Sequence, residues 1–253
     1  MNLFIYDKTF EGFLTAVFEA YEFKQVPDKI LGQENRQTFL FAEVHEVITD
    51  EEKAARVWTG LHKKLSDSAC KILSVDFLSE LPDVEMLLFR YIQKALASKS
   101  NYENNFGDAD VMEVMQLFRK VSREAERVRM FVRFQKTVDD IYFASFDPKY
   151  NVLPLTISHF EDRFADQRWI IYDTHRKYGY YYDLESVTEI RLDDSKIHPV
   201  TGKLDESALD VNEKLFQELW KKYFENIAIA ERRNPALHQK LLPKRFWKYL
   251  PEK

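Results

Sequence analysis

Three scarcities narrow the chemistry open to this chain of 253 residues. It holds one cysteine, Cys70, which leaves no internal disulfide and no thiolate cage for zinc or an iron–sulfur cluster. Its six glycines stand at positions 12, 32, 60, 107, 179 and 202, the closest pair 20 apart. Phosphate-cradling loops need clustered glycines to bring backbone near the anion, so neither the dinucleotide fingerprint nor the P-loop can be written here. The glycine-flanked nucleophile elbow of the hydrolases is missing for the same reason. No charge-free apolar run approaches the roughly 18 residues of a membrane-spanning helix. The first residues, MNLFIYDK, place no basic region ahead of their apolar ones, unlike a secretory signal. A soluble, cytoplasmic protein with no membrane partner is the expectation.

What is abundant is apolar and aromatic: 45% and 15% of residues, enough for a large core of sheet packed under helices. The net charge is −5, but it is unevenly spread. Residues 119–136 carry seven Lys or Arg against Glu124 and Glu126, and residues 231–253 carry seven against Glu231 and Glu252. An acidic body with two cationic segments is what a local anion-binding face looks like. It is also what a solvated helix face and a solvated tail look like.

Periodicity places the elements. Residues 2–6 read as a buried strand, and Asp7 and Thr9 cap a helix with Phe10, Phe13, Leu14, Val17, Phe18 and Tyr21 on one face. Residues 27–37 read as a polar loop and 38–47 as a second strand. Thr49 with Glu52 forms a capping box for the next helix. Another follows around Ala69, Ile72 and Leu73, and Pro82 opens a third at its first helical position. A longer helix carries Val111, Val114, Phe118, Val121 and Ala125 inward and the first basic segment outward. Alternation at Val132 and Phe134, a turn at 137–140 and alternation at Ile141 and Phe143 predict an antiparallel hairpin. Asn151 and Pro154 start a short helix; 169–173, 178–182 and 187–192 read as strands. A loop punctuated by Pro199 and Gly202 precedes an amphipathic helix through Leu215, Phe216, Leu219, Trp220, Tyr223 and Phe224. Asn234 with Pro235 starts one final helix and Pro243 another. The expected architecture is α+β, one domain over 1–253. An antiparallel sheet is flanked by helices, with a helical lobe near 50–127 and a sheet-centred core over 1–48 and 128–253.

Several clusters have the residue types of a site. His159 with Asp162 and Arg163 suits an acid/base group with an orienting carboxylate, or an ordinary charged helix face. Asp173, at a strand end before His175 and Arg176, is a second catalytic candidate and equally a turn former. Tyr178, Tyr180 and Tyr182 form either a stacking platform or sheet packing. Arg233, Lys244, Arg245 and Trp247 interleave cations with an aromatic ring, as a phosphate-tracking surface does; docking of Phe246, Trp247 and Tyr249 onto the body would produce the same pattern. Arg123, Arg127, Arg133, Arg163 and Arg176 complete the candidate nucleic-acid contacts. His45, His62 and Cys70 lack ligand spacing, so no metal site is expected.

Three blocks carry a resemblance: YDKTFEGFLTAVFEAYE; FVRF with YFASFDPKYNVLPLTISHFEDRFADQRWIIYD; and NIAIAERRNPALHQKLLPKRFWKYLPE. The chain resembles a bacterial family of DNA-metabolism or DNA-repair proteins defined by a domain of unknown function. Lys8 replaces an expected glycine, and Leu242 an expected methionine in a Met-Pro-Lys-Arg motif. The resemblance implies association with a radical S-adenosylmethionine protein and with uracil-DNA-glycosylase-like modules. It marks Asp7, Glu11, Arg133, His159, Arg163, Asp173, Arg233, Asn234, Lys244 and Arg245 as family motif positions. DNA and the radical-SAM protein are then the expected partners, with no cofactor in this chain and the radical-SAM cluster only on the partner. The expected function is DNA binding or processing with that partner. Two alternatives stand beside it: a non-catalytic adaptor for the radical enzyme, and a glycosylase-like acid/base hydrolase.

Overall fold

Strand β1 (Asn2–Tyr6) is the most deeply buried strand of the first half, with Leu3, Phe4, Ile5 and Tyr6 all inaccessible to solvent. A strand buried on both faces needs partners on both edges. In the computed structural model, which describes residues 1–34, 43–99, 101–192, 204–227 and 234–252, β1 has them. It pairs in parallel with β2 (Lys29–Gly32) and with β3 (Glu43–Glu46). The helix α1 (Phe10–Glu22) is the crossover that parallel pairing with β2 requires. Thr9 caps it through a hydrogen bond from the Gly12 amide.

The chain divides into two compact units, residues 1–122 and 123–253. In the first, the parallel sheet β2-β1-β3 lies with α1, α2 (Glu51–His62), α3 (Asp67–Phe77), α4 (Val84–Ala97) and the first part of α5 (Ala109–Phe131). The helices of the expected lobe therefore share a unit with the strands of 1–48, which have a sheet of their own. Three local expectations need correction. Residues 29–32 were expected within a loop; only Ile30 and Gly32 of this four-residue edge strand are buried, too short a run for alternation to register. The cap of α2 is Asp50, whose Oδ1 accepts the amides of Glu52 and Lys53, while Thr49 donates instead to Asp7. Pro82 lies ahead of α4, in a turn closed by the Val84 amide on the Leu81 carbonyl with Asp83 at φ 62°. Proline followed by a positive-φ residue is the requirement of a type II turn, not of a first helical turn. Of the strand expected at 38–47, residues 38–42 lie outside the described residues.

The second unit is built on five strands in the order β4-β5-β6-β7-β8. These are β4 (Gln135–Lys136), β5 (Tyr142–Phe146), β6 (Trp169–Asp173), β7 (Tyr178–Tyr182) and β8 (Val187–Ile190). The expected hairpin exists, but α5 runs to Phe131 and the Val132 amide still donates to the Val128 carbonyl; residues 132–134 are not strand. The sheet is mixed, not antiparallel throughout, because β5 and β6 run parallel. Between them residues 147–168 cross over through a 3₁₀ turn (Leu153–Leu155) and α6 (Ile157–Arg163). A helix between two adjacent strands is the usual carrier of a parallel link. Trp169, Ile171 and Tyr172 of β6 are fully buried at the centre of this sheet. After β8 come α7 (Glu213–Ile227), α8 (Pro235–Leu241) and a 3₁₀ stretch (Lys244–Tyr249). Asn234 caps α8 on the Leu237 amide. Among the described residues no helix is long and apolar enough to cross a membrane.

Candidate functional site

Where β4, β5 and α7 meet, the second unit has a cavity of about 370 Å³. Its walls come from the chain after α5 (Arg133, Phe134), from β4 (Gln135, Lys136) and from β5 (Tyr142, Ser145). The rest is supplied by α7 (Glu213, Phe216, Gln217, Trp220) and by Tyr249 and Pro251. Glu213 fixes the first turn of α7 against the sheet: its buried carboxylate accepts the Lys136 amide at 3.0 Å and the Gln217 side-chain amide at 3.0 Å. That leaves the Gln217 oxygen facing its surroundings as an acceptor. Lys136 is held by Asp140 at 2.6 Å, and the Arg133 guanidinium lies 5.5 Å from the centre of the Trp220 ring. The site is therefore aromatic on several sides, with amides and a hydroxyl between the rings and paired cations beside them. Such a lining, in a cavity of this size, suits a small ring-shaped ligand.

Most of the expected site residues lie elsewhere. Asp173 is fully buried, and its carboxylate accepts the amides of His175 (2.9 Å) and Arg176 (3.0 Å) and the Arg176 guanidinium (3.0 Å). Burial pushes its pKa up, against the pull of Arg176 and the two amides. It is the organiser of the β6–β7 turn, and Arg176 also reaches the carbonyls of Pro148 and Lys149. His159 is exposed on α6 in a separate shallow concavity with Glu126, Arg129, Met130, Ser158 and Asp162. Neither catalytic candidate lines the cavity.

The cations divide in the same way. Arg127 and Arg245 both pair with Glu124, a carboxylate whose side chain is only 2% exposed; Arg245 donates to both of its oxygens. Glu124 also accepts the Lys149 amide at 2.9 Å. The two basic segments thus do come together, but around an internal acid, which removes these guanidiniums from the pool available to phosphate. Arg123 and Lys244 are exposed, and Arg163 lies over the ring of its neighbour Phe164. Trp247 donates to the Leu242 carbonyl. Arg233 lies outside the described residues. Tyr178 and Tyr182 are buried packing, the latter stacked on Trp169 at 5.3 Å, and form no platform. Of the expected residues that are described, only Arg133 lines the cavity.

The residues missed from the sequence are those of α7. Its apolar stripe implies burial, yet Leu215, Leu219 and Tyr223 are each more than half exposed, and Phe216 and Trp220 face the cavity. Two aromatic residues interleaved with Glu213 and Gln217 at helical spacing were the available signal. Residues 82–252 match the family model of DUF4130, a domain of unknown function, and every residue of the cavity falls within that match. No curated protein matches the chain, and no solved structure does.

Proposed function

We propose, for a chain that belongs to the DUF4130 family, that the second unit is a DNA-binding module of DNA metabolism or repair that receives one unstacked base in the aromatic cavity. The observation that carries this reading is the meeting of Tyr142, Phe216, Trp220 and Tyr249 with the uncharged polar groups of Gln135, Ser145 and Gln217. Aromatic rings supply stacking, worth about 1–3 kcal/mol per base, and amides suit the edges of a base taken out of its stack. Single-stranded DNA is the favoured substrate, since a paired base must first be extruded. Hydrolysis by Asp173 or His159 is not part of the proposal, because neither residue lines the cavity. In fluorescence anisotropy at low salt, a labelled single strand is expected to bind, and Trp220→Ala to weaken it at least ten-fold. No binding of the strand, or unchanged binding by Trp220→Ala, would remove the reading.

A second reading, the non-catalytic adaptor for a radical-SAM protein, is favoured by the exposed Leu215, Leu219 and Tyr223 on α7. An apolar strip of this kind commonly marks a protein interface. Co-purification with that enzyme, lost in a Leu219→Glu variant, is its test; failure to associate at micromolar concentration counts against it.

A further inference from the structure

Beside the cavity, one acidic side chain stands where a ligand's anion would be expected. Glu252 places Oε1 2.9 Å from Arg133 Nη2 and Oε2 3.0 Å from Trp220 Nε1. Its side chain is 4% exposed, so its charge is held almost entirely by these two donors. Both donors belong to residues that line the cavity, and Pro251, the neighbour of Glu252, lines it too. Arg133 is fixed from behind: Nη1 donates to the carbonyls of Met130 (3.2 Å) and Val132 (3.1 Å). Its Nε, however, is buried without a hydrogen-bond partner. Nε–H and Nη2–H lie side by side on one edge of a guanidinium, the edge that grips a carboxylate or phosphate bidentately. Glu252 takes only one of that pair, because its second oxygen goes to Trp220. The subsite therefore offers three donors to an occupant with two acceptor atoms.

We propose that Arg133 and Trp220 form a phosphate subsite that Glu252 occupies in the free protein and that the phosphate of a bound nucleotide takes over. This rests on the base-binding reading above and adds to it the ligand class: a base carrying its 5′-phosphate. A phosphate monoester has enough oxygens to satisfy Arg133 Nη2, Arg133 Nε and Trp220 Nε1 together. The Glu252 carboxylate, once displaced, regains water. Glu252 thus acts as an internal competitor that lowers affinity for the nucleotide without touching the base.

Titration calorimetry with thymidine and with thymidine 5′-monophosphate separates the parts, using wild-type protein, Glu252→Gln and Arg133→Gln. Glu252→Gln is expected to bind the monophosphate at least five-fold more tightly than wild type and thymidine equally well. Arg133→Gln is expected to bind the monophosphate no better than thymidine. If thymidine binds but Glu252→Gln leaves monophosphate affinity unchanged, the subsite is overturned and the base reading stands. If thymidine fails to bind any variant, the base reading fails, and inorganic phosphate decides the subsite alone. Phosphorus NMR line broadening by Glu252→Gln that is absent with the Arg133→Gln/Glu252→Gln double variant upholds it, and no broadening by either overturns it. Circular dichroism melting of each variant identifies any that has lost its fold.

Discussion

Glu124→Ala is expected to destabilise the second unit by about 3–5 kcal/mol, the usual consequence of removing one partner from a buried charge cluster. The carboxylate accepts from Arg245, Arg127 and the Lys149 amide; Arg127 also donates to the Lys240 carbonyl, but among the described residues no second carboxylate pairs with either guanidinium. Arg245 Nε is already buried without a partner, so the alanine variant leaves two partly buried like charges facing each other without their acid. Urea denaturation measures the loss. Glu126→Ala, which removes an exposed pair with Arg129 on the same helix, is expected to change stability by no more than about 0.5 kcal/mol. A loss below about 1 kcal/mol for Glu124→Ala would show that the cluster is not what holds these segments. One practical corollary concerns Arg245: its replacement tests folding before it tests any ligand, which makes it a poor probe of DNA binding.

The second large effect lies in the first unit. Asp76, near the end of α3, is fully buried and neither of its carboxyl oxygens has a hydrogen-bond partner. Burial alone raises its pKa from the ordinary 3.8 to about 9. The folded chain therefore holds a neutral acid at neutral pH, while the unfolded chain releases its proton. In sign, the folded state binds the extra proton between about pH 4 and pH 9, so stability falls as pH rises through that window. It is complete below about pH 4 and level again above about pH 9. The slope for one such group is about 1.4 kcal/mol per pH unit, which makes the penalty at pH 7 about 4 kcal/mol. Asp76→Asn, which carries no titrating proton, is expected to recover most of that at pH 7 and almost none at pH 4. Thermal unfolding of both proteins from pH 4 to pH 9 checks it; parallel stability curves would mean that Asp76 is ionised in the folded state.

Much of the fold was legible because burial writes itself into spacing. The stripes of α1, α2, α4 and α5 and the central strands β6 and β7 lie where alternation placed them. Pairing was less legible. The direction of β5 against β6 depends on how the chain returns after α6, and no residue in either strand encodes it. Asp76 was readable in principle, since it follows Ala69 and Leu73 at helical spacing and so falls on their buried side. Glu124 was not: surrounded by Arg123, Glu126 and Arg127, it looks like one more solvated charge until Arg245 arrives from far along the chain. The cavity was hidden for a related reason. Amphipathicity reports that α7 has an apolar face, but not whether that face meets a core, a ligand or water.

One of the two guanidiniums that answer Glu124 stands 121 positions further on. During synthesis, the carboxylate on α5 has Arg127 at hand from the same helix, but gains its second guanidinium only once Arg245 has left the ribosome. The second unit thus cannot be completed segment by segment as it emerges; its closing contact joins segments far apart along the chain. A truncated nascent chain would carry an α5 that is helical in propensity yet unable to bury its own acid.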